Sequence, residues 1–279
     1  MRTIPIMING LPGNLAKTIA AAAADDPRFT LVPYSLTGPD IDTSAVTIGE
    51  IKIQLLKPDA RQARIQQIQA AHPGLIAVDY THPAAVNINA QFYTAHQIPF
   101  VMGTTGGDRE KLAADVKNAT VPAVIAPNMA KQIVGFQAMM EYAAKTFPDL
   151  FKGYRLEVRE SHQAGKADTS GTAKAIVSCF NTLGVDFKVS DIEQIRDPDV
   201  QEKEWGIPKA HLGGHGWHTY TLKAEDGASF FEFTHNINGR DIYVSGTFDA
   251  VVFLHQLPAD NTQRLFTMID VMTRESQTP

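Results

Sequence analysis

Short apolar runs alternate with longer amphipathic stretches through the first 128 residues. Residues 3–9 predict a strand, 10–13 a turn and 14–24 a helix. Further strands are predicted over 29–35, 46–55, 75–79, 100–102 and 123–126, and helices over 58–71, 84–96 and 108–118. Pro58 suits the first turn of its helix, where its missing N–H costs nothing. The strands are short and apolar on both faces, as in a sheet covered by helices on each side. Such alternation predicts a parallel, doubly wound sheet.

The rhythm changes near Asn128. A helix is predicted over 131–146. Residues 154–160 then alternate like a half-exposed strand. After a helix over 171–183, residues 187–243 are rich in glycine, histidine and β-formers, which predicts an antiparallel or mixed sheet with 230–235 as its clearest strand. A closing helical pair, 247–256 and 259–273, returns to the first domain. The expected architecture is α/β: one domain of residues 1–128 plus about 247–279, and a second, α+β domain of residues 129–246.

Length and charge narrow the function. A chain of 279 residues suits two domains. A net charge of -5 argues against a general nucleic-acid binder. Cys179 is the single cysteine, so neither an intramolecular disulfide nor a cysteine-based zinc site is possible, and a reducing compartment fits. No window approaches the ~20 apolar residues of a membrane span. No basic leader precedes the first strand, and a cytoplasmic protein is expected.

The opening strand, glycine turn and helix have the layout of a dinucleotide-binding unit, whose helix N-terminus receives a pyrophosphate. Gly10 and Gly13 are present and Ala16 stands at the next small position, a loose version of G-x-G-x-x-G and a weak signal alone. Other polar turns follow predicted strand ends: Asp79-Tyr80-Thr81, Gly103-Thr104-Thr105 and Ala126-Pro127-Asn128-Met129. Ligands of parallel sheets bind outside such carboxyl ends. The cofactor residues expected are these turns together with Gly10, Gly13, Asn14, Leu15, Lys17 and Ser35. No acidic residue stands at 35–37 to bond a ribose hydroxyl, so NADPH is preferred to NADH, with Lys17 as a candidate base.

The richest chemistry lies in E-S-H-Q-A-G-K-A-D-T-S-G-T-A, residues 160–173. His162 titrates near neutrality and can give or take a proton. Lys166 is a point charge for a carboxylate. Ser170, Gly171 and Thr172 open a helix whose hydroxyls, N–H groups and dipole could hold an anion, although Ser170 or Thr169 would also serve as a simple cap. Each alone has a bland reading, as a structural histidine, a solvated lysine or a capping serine. Ser170 lacks the G-x-S-x-G elbow of a serine hydrolase. His211, His215, His218 and His235 lack a familiar metal-binding pattern with a nearby carboxylate, so structural or substrate-contacting roles are expected and no metal.

These residues resemble the dihydrodipicolinate reductase family over nearly the whole chain. The likeness is carried by the glycine turn, G-T-T-G at 103–106, A-P-N-M at 126–129, the 160–173 segment and H-N-I-N-G-R at 235–240. The resemblance implies a Rossmann-like NAD(P)H-binding domain and a substrate-binding, oligomerisation domain. It also implies reduction of a cyclic imine dicarboxylate in lysine and diaminopimelate biosynthesis, by a homo-oligomer of two or four copies. It makes His162 the proton donor and Lys166 its catalytic partner. Ser170, Gly171 and Thr172 become the carboxylate grip, and Gly103, Thr104 and Thr105 neighbours of the nicotinamide. Gln163 stands where the usual bacterial pattern has a second histidine, and Asp168–Thr172 is one residue shorter than D-A-P-S-G-T. Both features resemble the plant-type branch, shared with cyanobacteria, and the missing plastid leader fits a cyanobacterial source. Gln163 then contacts substrate as a neutral amide. The competing readings are another two-domain NAD(P)-dependent dehydrogenase of amino-acid metabolism and a non-catalytic NADPH-sensing regulator.

Overall fold

The computed structural model describes residues 3–275. In chain order the elements are β1 (Ile4–Asn9), α1 (Asn14–Asp25), β2 (Phe29–Leu31), β3 (Tyr34–Leu36), β4 (Ala45–Ile48), β5 (Ile51–Leu56), α2 (Pro58–Ala71), β6 (Ile76–Asp79), α3 (Val86–Ala95), β7 (Phe100–Met102), α4 (Arg109–Lys117) and β8 (Ala123–Ile125). There follow α5 (Lys131–Thr146), β9 (Tyr154–His162), α6 (Gly171–Thr182), β10 (Glu193–Ile195), α7 (Pro198–Lys203), β11 (His215–Ala224) and β12 (Phe230–Asn238). The chain closes with α8 (Ile242–His255), β13 (Leu265–Phe266) and α9 (Met268–Glu275). It divides into two compact units, Met1–Lys131 with Asp241–Pro279, and Gln132–Arg240.

The first unit is built on a parallel six-stranded sheet of order β13-β8-β7-β6-β1-β2. Ile6, Met7 and Ile8 are all buried, because both faces of β1 are covered. This is the Rossmann-like doubly wound sheet that the alternating pattern predicts. From β1 the chain turns to β2 on one side and later to β6 on the other. The strand order therefore reverses between β1 and β6, and ligands of open α/β sheets bind at the carboxyl ends beside such a point.

Four local expectations need correction. The strand predicted over 29–35 is two strands: β2 joins the main sheet, while β3 pairs with β5 in a separate sheet of order β3-β5-β4. The strand predicted over 46–55 is a hairpin, β4 and β5, whose turn contains Gly49 at φ +56°. Alternation on both sides concealed that turn, which shows only as a one-residue phase slip at Gly49-Glu50. The last helix is shorter than predicted, because residues 265–266 instead pair with β8 as a sixth strand. Its predecessor, α8, begins at Ile242 rather than at 247.

The second unit carries a mixed sheet of order β10-β9-β11-β12, with β10 parallel to β9 and the other pairs antiparallel. Side chains alternate faces along a strand. Leu156 and Val158 of β9 and Tyr220 and Leu222 of β11 share a hydrophobic cluster with Ile176, Val177 and Phe180 of α6 and Met140 of α5. The same alternation puts Glu160 and His162 at the end of that face. No helix among the described residues is long and apolar enough to cross a membrane.

Candidate active site

In the first unit the predicted turns come together at the switch point. Gly10 has φ +107°, and a Cβ there would lie 2.1 Å from the Tyr80 carbonyl oxygen. A Cβ on Gly103 would lie 2.3 Å from the Tyr80 ring. Both positions are held to glycine by close approach. The Gly13 N–H donates to the Gly10 carbonyl at 2.8 Å, which tightens the turn into α1. α1 has no side-chain cap and no acidic residue in its first turn, so its leading N–H groups and partial positive charge remain for an anion. Asn14 and Lys17 are exposed there and Leu15 is half-buried.

Several side chains predicted to meet a ligand instead hold these turns from behind. Asp79 is fully buried. Its carboxylate accepts from Thr81 N–H and Oγ1 at 3.1 and 2.8 Å, Thr104 Oγ1 at 2.6 Å, Asn89 Nδ2 at 3.0 Å and Tyr93 OH at 2.7 Å. A carboxylate so enclosed ties two turns together and has no face left for a cofactor. Burial first, then the Asp79 charge, raises the Tyr93 phenol well above its ordinary pKa, so it stays a donor. Ser35 is also fully buried, with Oγ accepting from Leu11 N–H at 3.3 Å. It supports the glycine turn instead of facing a ribose. The Tyr80 hydroxyl bonds to Thr247. Ala126 and Met129 are buried, Asn128 is half-buried with Oδ1 accepting from Ala130 N–H, and Thr105 and Pro127 are exposed.

In the second unit β9 ends on His162, and α6 starts at Gly171 with Ser170 as its cap. His162 Nδ1 lies 3.0 Å from the His215 carbonyl oxygen, so Nδ1 carries the proton and Nε2 is the free nitrogen. That Nε2 is buried and has no hydrogen-bond partner. Burial lowers the His162 pKa; the Glu160 charge and the bond to His215 oppose this in part, and Arg196 and Lys166 add to it. Lys166 Nζ pairs with Asp168 Oδ1 at 2.7 Å, and Asp168 is 75% exposed. An ion pair this open is worth only about 0–1 kcal/mol and yields readily to another carboxylate.

Ser170 caps α6, its Oγ accepting from Ala173 N–H at 3.5 Å, and its own N–H donates to Glu160 Oε2 at 3.1 Å. The free donors at this helix start therefore belong to Gly171 and Thr172. A Cβ on Gly171 would meet no atom within 4 Å, so the space beside it is open. Gln163 is half-buried beside this segment, and its carbonyl accepts from Lys166 N–H at 3.0 Å.

His215 is structural, with Nε2 2.9 Å from Ser161 Oγ and Nδ1 3.0 Å from the His211 carbonyl. His218 and His235 differ: both nitrogens of each are buried without partners, as is the Tyr220 hydroxyl. Their ring centroids lie 4.6 Å apart, and His218 is 5.0 Å from His162. Buried polar groups are almost always satisfied, so this row marks a place for water or a polar ligand. Glu160, His162 and His218 bring ligand-capable atoms within 4.8 Å of one another. A dication there would compete with Arg196, whose guanidinium already holds Glu160 at 2.5 Å. Sequence reasoning assigned no role to Glu160, Gln194, Arg196 or Gln201. The last of these is fully buried and donates to the His162 carbonyl at 2.7 Å.

A glycine turn before an uncapped helix start in one unit, and a histidine with an unpartnered nitrogen near an open helix start in the other, are arrangements that a two-domain oxidoreductase can use. Residues 4–129 match the family described as Dihydrodipicolinate reductase, N-terminus, and residues 133–272 match Dihydrodipicolinate reductase, C-terminus. The chain belongs to the dihydrodipicolinate reductase family. It is 47% identical to 4-hydroxy-tetrahydrodipicolinate reductase 1, chloroplastic, of Arabidopsis thaliana, over 96% of this chain and 78% of that one. It is 45% identical to the probable reductase 1, chloroplastic, of Oryza sativa subsp. japonica, over 97% and 79%. The reductase of the cyanobacterium Picosynechococcus sp. is 26% identical, over 87% and 90%. A dipicolinate-bound dihydrodipicolinate reductase from Paenisporosarcina sp. TG-14 superposes with a TM-score of 0.66 at 17% identity, over 95% and 98%, and so shares the fold. Membership implies a nicotinamide cofactor, and the uncapped start of α1 behind a glycine turn fits its pyrophosphate.

Proposed function

We propose that the chain reduces 4-hydroxy-tetrahydrodipicolinate to tetrahydrodipicolinate in lysine and diaminopimelate biosynthesis. The observation that carries this reading is the unpartnered His162 Nε2 on the same segment as Lys166 and the open start of α6.

The nicotinamide cofactor, when bound, supplies a hydride. The residues that would hold it are the backbone of Gly10–Leu15, the turns at 80–81 and 103–105, and residues 126–129. Lys166 exchanges its exposed partner Asp168 for one substrate carboxylate. Gly171 and Thr172 N–H groups, with the α6 dipole, receive a carboxylate as well, and Gln163 adds a neutral hydrogen bond. Loss of the substrate hydroxyl as water and addition of hydride leave an enamine, to which His162 Nε2 gives a proton. Burial keeps His162 largely neutral in the free protein, so the arriving dianion is what favours its protonation. Charge neutralisation and positioning supply much of the rate.

NADPH is the preferred coenzyme in this reading. It is supported by the lack of a carboxylate at 35–37, the inward-facing Ser35 and the exposed Lys17. We take the active assembly as a homo-oligomer of two or four copies, in a cytoplasmic setting, although the plant relatives are named chloroplastic.

The test is to supply the product that dihydrodipicolinate synthase makes from pyruvate and aspartate semialdehyde, and to follow NADPH absorbance. Turnover is expected. Folded protein that oxidises neither nicotinamide cofactor overturns the reading, and a kcat/KM with NADH equal to or above that with NADPH overturns the coenzyme preference.

A further inference from the structure

The segment that carries Lys166 has little of its own to hold it. Residues 163–169 form neither helix nor strand, and Ala164, Gly165, Ala167 and Asp168 are exposed. Ordering such a stretch costs conformational entropy. A point charge on it would bind a dicarboxylate well only if its distance from the α6 N-terminus were fixed.

The bonds that fix it come from the residues just behind, at the end of β10. Parallel pairing sets Gln194 opposite Glu160 and Ile195 opposite Ser161. Arg196, the next residue, donates from Nε to the Lys166 carbonyl at 2.9 Å and from Nη2 to Glu160 Oε1 at 2.5 Å. Its Nη1 reaches the Glu160 and Ile195 carbonyls at 3.4 and 3.1 Å. Glu160, fully buried, receives the Ser170 N–H on its other oxygen. Gln194 Nε2 adds a bond to Thr169 Oγ1 at 2.8 Å.

We propose that Arg196 and Glu160 are positioning residues for the substrate's carboxylates: a half-buried arginine on a fully buried glutamate that together tie the Lys166 backbone and the start of α6 to one rigid point. The inference rests on the dicarboxylate site proposed above. Glu160 neutralises the guanidinium, so Arg196 holds the segment without itself drawing the substrate. Its planar fork is what permits this, because one group bonds a carboxylate and a backbone carbonyl in fixed directions at once. A lysine in its place could keep the charge beside Glu160, but its single, freely rotating ammonium would not fix both partners in those directions.

The test is a double-mutant cycle between position 196 and Lys166. Arg196→Lys and Arg196→Met are each made in the natural chain and in Lys166→Ala. KM, kcat, NADPH affinity by fluorescence and dipicolinate affinity by calorimetry are measured. For Arg196→Lys, KM and the dipicolinate Kd should rise roughly tenfold, with kcat and NADPH affinity changing less than about threefold. In the Lys166→Ala background the same substitution should change dipicolinate affinity less than about twofold, because the group it positions is gone. Arg196→Met should raise the dipicolinate Kd further while showing the same collapse of the effect without Lys166. Equal fold-changes in both backgrounds overturn the proposal, and so does a parallel loss of NADPH affinity, which would mark a general structural role. An unmutated chain that lacks turnover and dipicolinate binding overturns the underlying site instead.

Discussion

In the first unit Asp79 is fully enclosed and takes five hydrogen bonds, from two turns and α3. In the second, His162, His218 and His235 are also set into the structure, yet Nε2 of the first and both nitrogens of the others lack hydrogen-bond partners, His218 Nε2 lying 3.8 Å from Glu160 Oε2. The first arrangement is complete without a ligand: its side chains are spent on shaping backbone turns, and in the proposed function the backbone is left to do the binding. The second leaves side-chain atoms for something polar to satisfy. A cofactor common to many enzymes can be held by backbone N–H groups at a helix start. A proton transfer needs a specific imidazole, and its environment must let its pKa move when substrate arrives.

Substitutions test that contrast directly. The largest effect is expected at His162. His162→Ala should lower kcat about 10²–10⁴-fold while NADPH affinity stays within about threefold. Near-normal kcat would remove the donor assignment. Next is Gly10→Ala, where the Cβ would overlap the Tyr80 carbonyl at a φ that alanine avoids. It should destabilise the fold by at least ~1–3 kcal/mol and abolish NADPH binding, read by denaturant titration and fluorescence. Asp79→Asn should cost roughly 1–3 kcal/mol of stability, because an amide turns donors toward donors. It should raise the KM for NADPH and leave the KM for the dicarboxylate unchanged; the reverse pattern would mean that Asp79 serves the substrate.

Two smaller effects concern pH. The donor must be protonated, and burial sets the pKa of free His162 below its ordinary value of about 6.5. As pH rises, kcat/KM should therefore fall through a limb below about 6.5, whereas kcat, which reports the substrate complex, should fall at higher pH. Coincident limbs would show that substrate does not shift His162. Stability should respond in the opposite sense. The His235 pKa is pushed down to about 4, chiefly by burial and then by His162. Between about 6.5 and about 4 the unfolded chain takes up a proton there that the folded chain refuses. Stability is therefore full above that window and declines as pH falls through it. His235→Phe should flatten the acid limb of a melting-temperature profile, and an unchanged profile would locate acid sensitivity elsewhere.

The alternation of apolar strands and helices in the first half was legible because its cause is local: strand and helix periods, with glycine turns between them. The candidates in 160–173 stood out because a titratable histidine, a cation and a helix start stand within one short run. What was misread has a common origin. Ser35 and Asp79 look like ligand contacts in sequence, since a polar residue at a strand end can face either a ligand or the neighbouring turn. The hairpin at 45–56 looked like one strand because both of its arms alternate and only a one-residue phase slip at Gly49-Glu50 marks the turn.

The sequence by itself determined the doubly wound sheet, the glycine turn that leads into α1, and the candidates for moving a proton and holding a dicarboxylate. The tertiary structure alone decided which polar groups are spent and which remain free. Arg196 lies 36 residues from Glu160 along the chain, and Gln201 lies 39 from His162. No local pattern announces either contact. Parallel pairing of β10 with β9 sets Arg196 beside Glu160, and α7, which follows β10, brings Gln201 to His162; it is the register of that strand pair that turns an exposed, loosely held segment into a placed one.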